Sequence, residues 1–329
     1  FHHRSVREYL TAEWLAALLA RPASRRAVES LLFRNQYGVD VVVPTMRPVL
    51  PWLAILDDRI RERLRRIAPE VVFEGGDPSA LPLETRRVVL AEVCEQIASG
   101  TSGRSALDYA AVQRFANADI AEDIRQLLER YCTNDELRGF LLRMIWSGRL
   151  TELLMEAKTV ALSPTPSTYT RLSAIRAGKA VGTKSDLEEL RKSFLAEAPT
   201  LDRAWLSELL ADSEPSPETV TWMFAALNKV ERKERYSVDS LTDAVATFAT
   251  AAPESLLPDL LRGFNELLER APFLERGYCE VSIDNVWLMK AAAIVIDRLI
   301  RTRNPDALSN DALGILYKFR AAHERDDVV

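Results

Sequence analysis

Three histidines occur in this sequence, His2 and His3 at the opening and His323 near the close. A nucleophilic hydrolase needs a base beside its Ser or Cys, and histidines at the two extremes leave few candidates. His323, on the last predicted helix, reads as a cation meeting a helix C-terminus. Cys94, Cys132 and Cys279 lie far apart, with no CxxC or Cys/His spacing that would hold zinc or frame disulfides. Such sparse cysteines suit a reducing cytosol. Adjacent acids such as Glu188-Glu189 fall on different faces of a helix, and among 48 Asp and Glu such neighbours arise by chance. No catalysis and no metal site are expected within this chain.

Two segments invite a phosphate. Gly178-Lys179-Ala180-Val181-Gly182-Thr183-Lys184-Ser185 has the residue types of a phosphate loop, but Thr183 separates Gly182 from Lys184 and the lead-in has helical spacing. A phosphate loop needs Gly-Lys-Ser/Thr contiguous after a strand. The segment therefore reads as a helix end followed by a capping box, Ser185 with Glu188. Arg59, Arg61, Arg63, Arg65 and Arg66 crowd one short helix beside Asp57, Asp58 and Glu62. Such a run is usually a solvated face with local ion pairs, and phosphate binding is its minority reading.

The elements that position these residues are helices. Ile120, Ile124, Leu127, Leu128 and Tyr131 make one stripe at helical spacing; Val220, Met223, Phe224, Leu227 and Val230 make another. Leu257, Leu260, Leu261, Phe264, Leu267 and Leu268 repeat it, as do Leu308, Ala312, Ile315, Leu316 and Phe319. Thr133 with Glu136 reads as a second capping box, and Ser216-Pro217-Glu218 as a cap, a first-turn proline and a favourable acid. Arg4 and Glu8 stand one turn apart, the spacing of a helical ion pair. Two stretches break the rhythm: the β-branched run Tyr37–Val43, and Arg276–Asp284 in the longest insertion. Each is expected as a short extended segment or ordered loop, without a sheet. The fold class is all-α, short helices in stacked pairs resembling a HEAT-like α-solenoid or superhelix. The flexible run Ser99–Ser105 marks a seam, with domains at 1–103 and 104–329.

The chain has 329 residues, 47% of them hydrophobic, and a formal net charge of -5. That balance suits a packed core and gives no global field for nucleic acid or anionic lipid. No apolar run approaches the roughly 18 residues of a membrane span. The cytoplasm is the expected location.

The opening Phe1-His2-His3-Arg4-Ser5-Val6-Arg7-Glu8-Tyr9-Leu10 resembles the F-x-H-x-S-x-x-E-Y-L-x-A stretch that closes the ATPase module of NACHT-type STAND NTPases. Phe1, His3, Ser5, Glu8, Tyr9, Leu10 and Ala12 occupy its fixed positions. The resemblance implies that residues 1–103 are the end of a winged-helix segment plus a helical linker, and 104–329 a helical-repeat arm. It implies that His3 contacts the β-phosphate of ADP in the intact protein, where ATP or ADP with Mg would be the cofactor; no cofactor is expected in this fragment. In that family the arm binds a protein trigger, such as a phage protein, and controls self-association in antiviral defence. Phe273, Tyr278 and Ile283, in the insertion from Pro272 to Asp284, are the candidate protein contacts. Tyr9 and Trp14 flank an apolar seam that would face the missing module. The alternative is a constitutive HEAT-like scaffold with no NTPase attached.

Overall fold

The computed structural model describes residues 3–72, 75–100, 109–197, 199–233, 240–276 and 279–322. The chain divides into two compact units, residues 1–183 and 184–329. The boundary falls at the helix end and helix start that the Gly178–Ser185 segment encodes. The seam expected at 99–105 lies mostly outside the described residues.

The first unit holds α1 (Arg4–Leu19), α2 (Pro22–Leu32), β1 (Phe33–Gln36), β2 (Val39–Val42), α3 (Leu50–Leu56) and α4 (Asp58–Ile67). After these come α5 (Leu83–Ala98), α6 (Tyr109–Phe115), α7 (Ala121–Arg130), α8 (Asp135–Gly148), α9 (Leu154–Leu162) and α10 (Thr168–Val181). Helix α1 lies on α2 and α3, and α3 on α4. Beyond them, α8 packs against both α6 and α10, while α7 contacts α5 and the single turn that opens α9. Alternate helices therefore share a layer, the arrangement of stacked pairs.

The second unit repeats the scheme with α11 (Lys184–Glu197), α12 (Arg203–Leu210), α13 (Pro217–Leu227), α14 (Leu241–Ala251) and α15 (Leu257–Leu268). It continues through β3 (Phe273–Arg276) and β4 (Cys279–Ser282) to α16 (Met289–Arg301) and α17 (Asn310–Ala322). One layer runs α11, α13, α15, α17 and the other α12, α14, α16. Helix α15 shows why its sequence carries one broad apolar face opposite Asp259, Arg262 and Glu266. It buries Leu257, Leu260, Leu261, Phe264, Leu267 and Leu268, since α13 covers one side, α17 another and α16 a third. Each such leucine contributes about 1.5–3 kcal/mol of burial. Helix α17 leaves Leu313, Leu316 and Tyr317 exposed.

Both stretches that break the helical rhythm form two-stranded antiparallel ribbons, where the sequence predicted no sheet. In the first, Phe33 pairs with Val42 and Gln36 with Val39. The linking Tyr37 and Gly38 both have positive φ, 52° and 84°. A two-residue loop of that kind matches the twist of the strands it joins. Phe33 and Arg34, directly after α2, belong to this ribbon and pair with Val42 and Val41. The second ribbon, Phe273–Arg276 with Cys279–Ser282, packs β4 against α15 and α17 and buries Val281 completely.

Helix starts follow the sequence with two shifts. Ser216 caps α13 by accepting from the Thr219 amide at 3.1 Å. Its neighbour Glu218 titrates below the ordinary carboxylate range, held down by its own backbone amide and then by the Ser216 hydroxyl. For α8 the cap is Asn134, accepting from the Leu137 amide at 3.0 Å, so the predicted Thr133 lies one residue outside. Helix α11 begins at Lys184, which places Ser185 inside its first turn.

Candidate functional site

His3 stands at the N-cap position of α1, solvent-exposed, with an extended backbone and no side-chain cap. Its Nδ1 meets the Ser5 hydroxyl at 3.2 Å. One turn on, Arg4 Nε donates to Glu8 Oε1 at 2.7 Å, the predicted pair. Phe1, His2 and His323 lie outside the described residues.

This first turn forms one lip of a cavity of about 580 Å³. His3, Arg4, Ser5 and Glu8 come from α1, while Pro44, Arg47, Pro48, Pro51 and Trp52 come from α3 and its approach. Gly75, Gly76 and Arg114 complete the lining. Gly76 has φ +70°, and a Cβ there would approach the Pro51 backbone at 3.0 Å, so the turn sits against α3 as only glycine allows. Arg47 Nη2 donates to Glu70 Oε1 at 3.1 Å. Trp52 meets the edge of Tyr9 with ring centres 5.3 Å apart. Its indole N–H is buried without an acceptor among the described residues. The volume falls within the roughly 300–1,000 Å³ of small-ligand sites. Sequence reading picked out His3 but not the cavity, whose walls come from four separate stretches of chain.

The α4 arginines divide: Arg59 and Arg66 are exposed and Arg61–Asp58 and Arg65–Glu62 are the local pairs expected, while Arg61, Arg63 and Arg65 also reach beyond the helix. Arg61 donates to the Ala54 carbonyl at 3.0 Å and to Asp58 at 2.5 Å. Arg63 lies 4.5 Å over the Phe33 ring and donates to Asp40 at 3.1 Å; Arg65 donates to Glu92 at 2.7 Å. These carboxylates and carbonyls take up the donors that a phosphate would need.

The candidate protein contacts separate. Phe273 on β3 is 37% exposed, Ile283 is half-buried with its amide donating to the Pro272 carbonyl at 2.9 Å, and Tyr278 lies outside the described residues. The insertion is anchored at its base: Asn285 Nδ2 donates to the Leu267 carbonyl at 3.0 Å, and Arg232 meets Asp284 at 2.7 Å. On α1, Val6, Leu10 and Trp14 recur at four-residue spacing and are 40%, 38% and 62% exposed. Burial pushes the Cys94 thiol up to about 12, so it carries no thiolate at neutral pH. Among the described residues no group of His, Cys, Asp and Glu could hold a metal ion, and no helix is long and apolar enough to cross a membrane.

Set beside protein-family models, curated proteins and solved structures, the chain matches none of them.

Proposed function

We propose that this chain is a helical protein-binding arm of a nucleotide-switched ATPase of the NACHT-type STAND class, joined to it through the segment that carries His3. The observation behind the reading is the placement of the opening motif. His3 is exposed at the head of α1, free to face a module before it, and α1 leads directly into stacked helix pairs. Alternating layers of short helices offer extended surface to a protein trigger. A trigger shifts such a switch by binding its two forms with different affinity. An imidazole suits the latch, because a ring N–H donates to phosphate oxygen and protonation adds charge assistance. In the cytoplasm, nucleotide exchange would license self-association. The second ribbon, anchored at its base with Phe273 accessible, is the contact element for the trigger.

Replacing His3 with Ala in the intact protein tests the attachment. Co-purifying ADP should be lost on washing, while the α-helical signal stays unchanged. Retention equal to that of the unaltered protein rejects the role of His3.

A further inference from the structure

We propose that the cavity beside α1 and α3 is a docking pocket for an acidic peptide segment with apolar flanks, supplied by a protein partner. Charge balance around the cavity sets the class of ligand. Arg4 is matched by Glu8 at 2.7 Å, and Arg47 by Glu70 at 3.1 Å. Arg114, exposed at the end of α6, has no ion pair or side-chain hydrogen bond among the described residues. One cation is therefore left uncompensated. A single carboxylate balances it, whereas a nucleoside di- or triphosphate would bring several charges to one free guanidinium.

The remaining wall fixes what surrounds that carboxylate. Pro44, Pro48, Pro51 and Trp52 form an apolar shelf, and prolines present no N–H for a neighbouring chain to satisfy. Grooves lined by aromatic rings receive extended peptides, with apolar side chains against the rings. The Trp52 indole N–H is buried from the cavity, so this residue offers the ligand ring surface and no hydrogen bond. The ligand thus carries one negative charge and apolar flanks, and the cavity of about 580 Å³ admits a few residues of it.

The inference rests on the protein-binding part of the function proposed above and is independent of the ATPase attachment. Fluorescence polarisation tests it with the full chain and a labelled peptide carrying one Glu flanked by leucines, against its Gln-for-Glu counterpart, ADP and inorganic phosphate. The Glu peptide should bind about tenfold more tightly than the Gln peptide, the scale of one charge-assisted hydrogen bond. Arg114→Gln should remove that preference, Arg114→Lys should restore most of it, and Arg26→Gln, on the exposed face of α2, should leave it intact. Circular dichroism checks that each variant folds. Absence of peptide binding, equal affinity for both peptides, or indifference to Arg114→Gln overturns the proposal. So does Arg114-dependent binding of ADP or phosphate that displaces the peptide. An unchanged ADP retention in His3→Ala rejects the nucleotide latch alone, so the two failures are distinguishable.

Discussion

In residues 1–183, the ties between neighbouring helices run mostly from arginine to carboxylate; in residues 184–329, cation–carboxylate pairs such as Lys290 with Asp243 and Lys318 with Glu269 are joined by a second set of cations that reach backbone carbonyls. Arg25 with Asp57, Arg65 with Glu92, Arg86 with Asp119, Arg87 with Asp123 and Arg125 with Glu156 make the first set. Arg191 to the Leu209 carbonyl, Lys229 to that of Leu195, Arg203 to that of Glu231 and Arg298 to that of Ala249 make the second. Two of these arginines also lie over indole rings, Arg191 over Trp222 at 5.1 Å and Arg203 over Trp287 at 4.3 Å. A carboxylate can be discharged by acid and a carbonyl cannot. The arginine–carboxylate ties of the first unit are therefore titratable, whereas the carbonyl ties of the second are not.

Close approach between helices gives the sharpest way to compare the two stacks. A Cβ on Gly148, at the end of α8, would meet the Ala116 carbonyl oxygen at 2.4 Å. On Gly263 of α15 it would meet the Phe224 ring, also at 2.4 Å. Backbone cannot yield, whereas Phe224 is half-buried and can rotate away, at the expense of its edge contact with Phe264. Gly148→Ala should therefore cost about 3 kcal/mol, and Gly263→Ala about 1 kcal/mol once the helix propensity of alanine offsets part of the strain. Urea unfolding of the two variants measures both. Equal losses would mean that the two stacks are equally pliable.

Acid separates the units by chemistry. Burial pushes the Asp57 carboxyl up, but the Arg25 guanidinium and the Ile60 and Arg59 amides outweigh it and hold the carboxyl below its usual range. Its folded value is thus below its unfolded one, so its contribution is present above an unfolded pKa of about 4 and is lost as pH falls through the folded value. Glu92 runs the other way: burial raises its pKa despite Arg65, so protonation favours its folded form. Glu214 and Glu218 of the second unit are also lowered, but both are fully solvated and contribute little. Amide exchange between neutral pH and about pH 3 should therefore open α3 and α4 before α12 to α16. The reverse order would break the comparison. At neutral pH, Asp57→Ala removes the α4 cap and the partner of Arg25 together, a loss of about 2 kcal/mol.

How much of this was legible follows from how local each signal is. Helix positions were, because the apolar stripe at helical spacing is itself the buried face: Ile120, Ile124, Leu127 and Leu128 are all buried. The layering was hidden by uneven spacing. Lys184 reaches Glu214 over 30 residues and Trp222 reaches Arg191 over 31, but Lys290 meets Asp243 over 47 and Lys318 meets Glu269 over 49. The second ribbon, inserted between α15 and α16, lengthens that interval without disturbing the stacking. The first ribbon was half visible: its valines stood out, but Arg34, Asn35 and Gln36 carry no strand pattern and are exposed. Gly38, which allows the turn its positive φ, was the signal available. The cavity had no sequence signature, since Arg114 is brought to His3 by packing.

The smallest expected effect tests the finest point of reading, the start of α8. Thr133 with Glu136 satisfies the capping-box spacing, yet the Asn134 side chain accepts from the Leu137 amide. Asparagine caps at least as well as threonine, and a start at Asp135 places Asp135 and Glu136 in the first turn, against the positive end of the helix dipole. Moving the start one residue earlier would forfeit that side-chain bond. Asn134→Ala should accordingly cost about 1 kcal/mol, while Thr133→Ala should stay within about 0.5 kcal/mol. Asp57, capping α4 with hydrogen bonds to two amides as well as an ion pair, should exceed Asn134 by the worth of that pair. If Thr133→Ala proves the costlier of the two α8 variants, α8 begins where the threonine spacing put it, and the Asn134 bond contributes nothing that water does not replace.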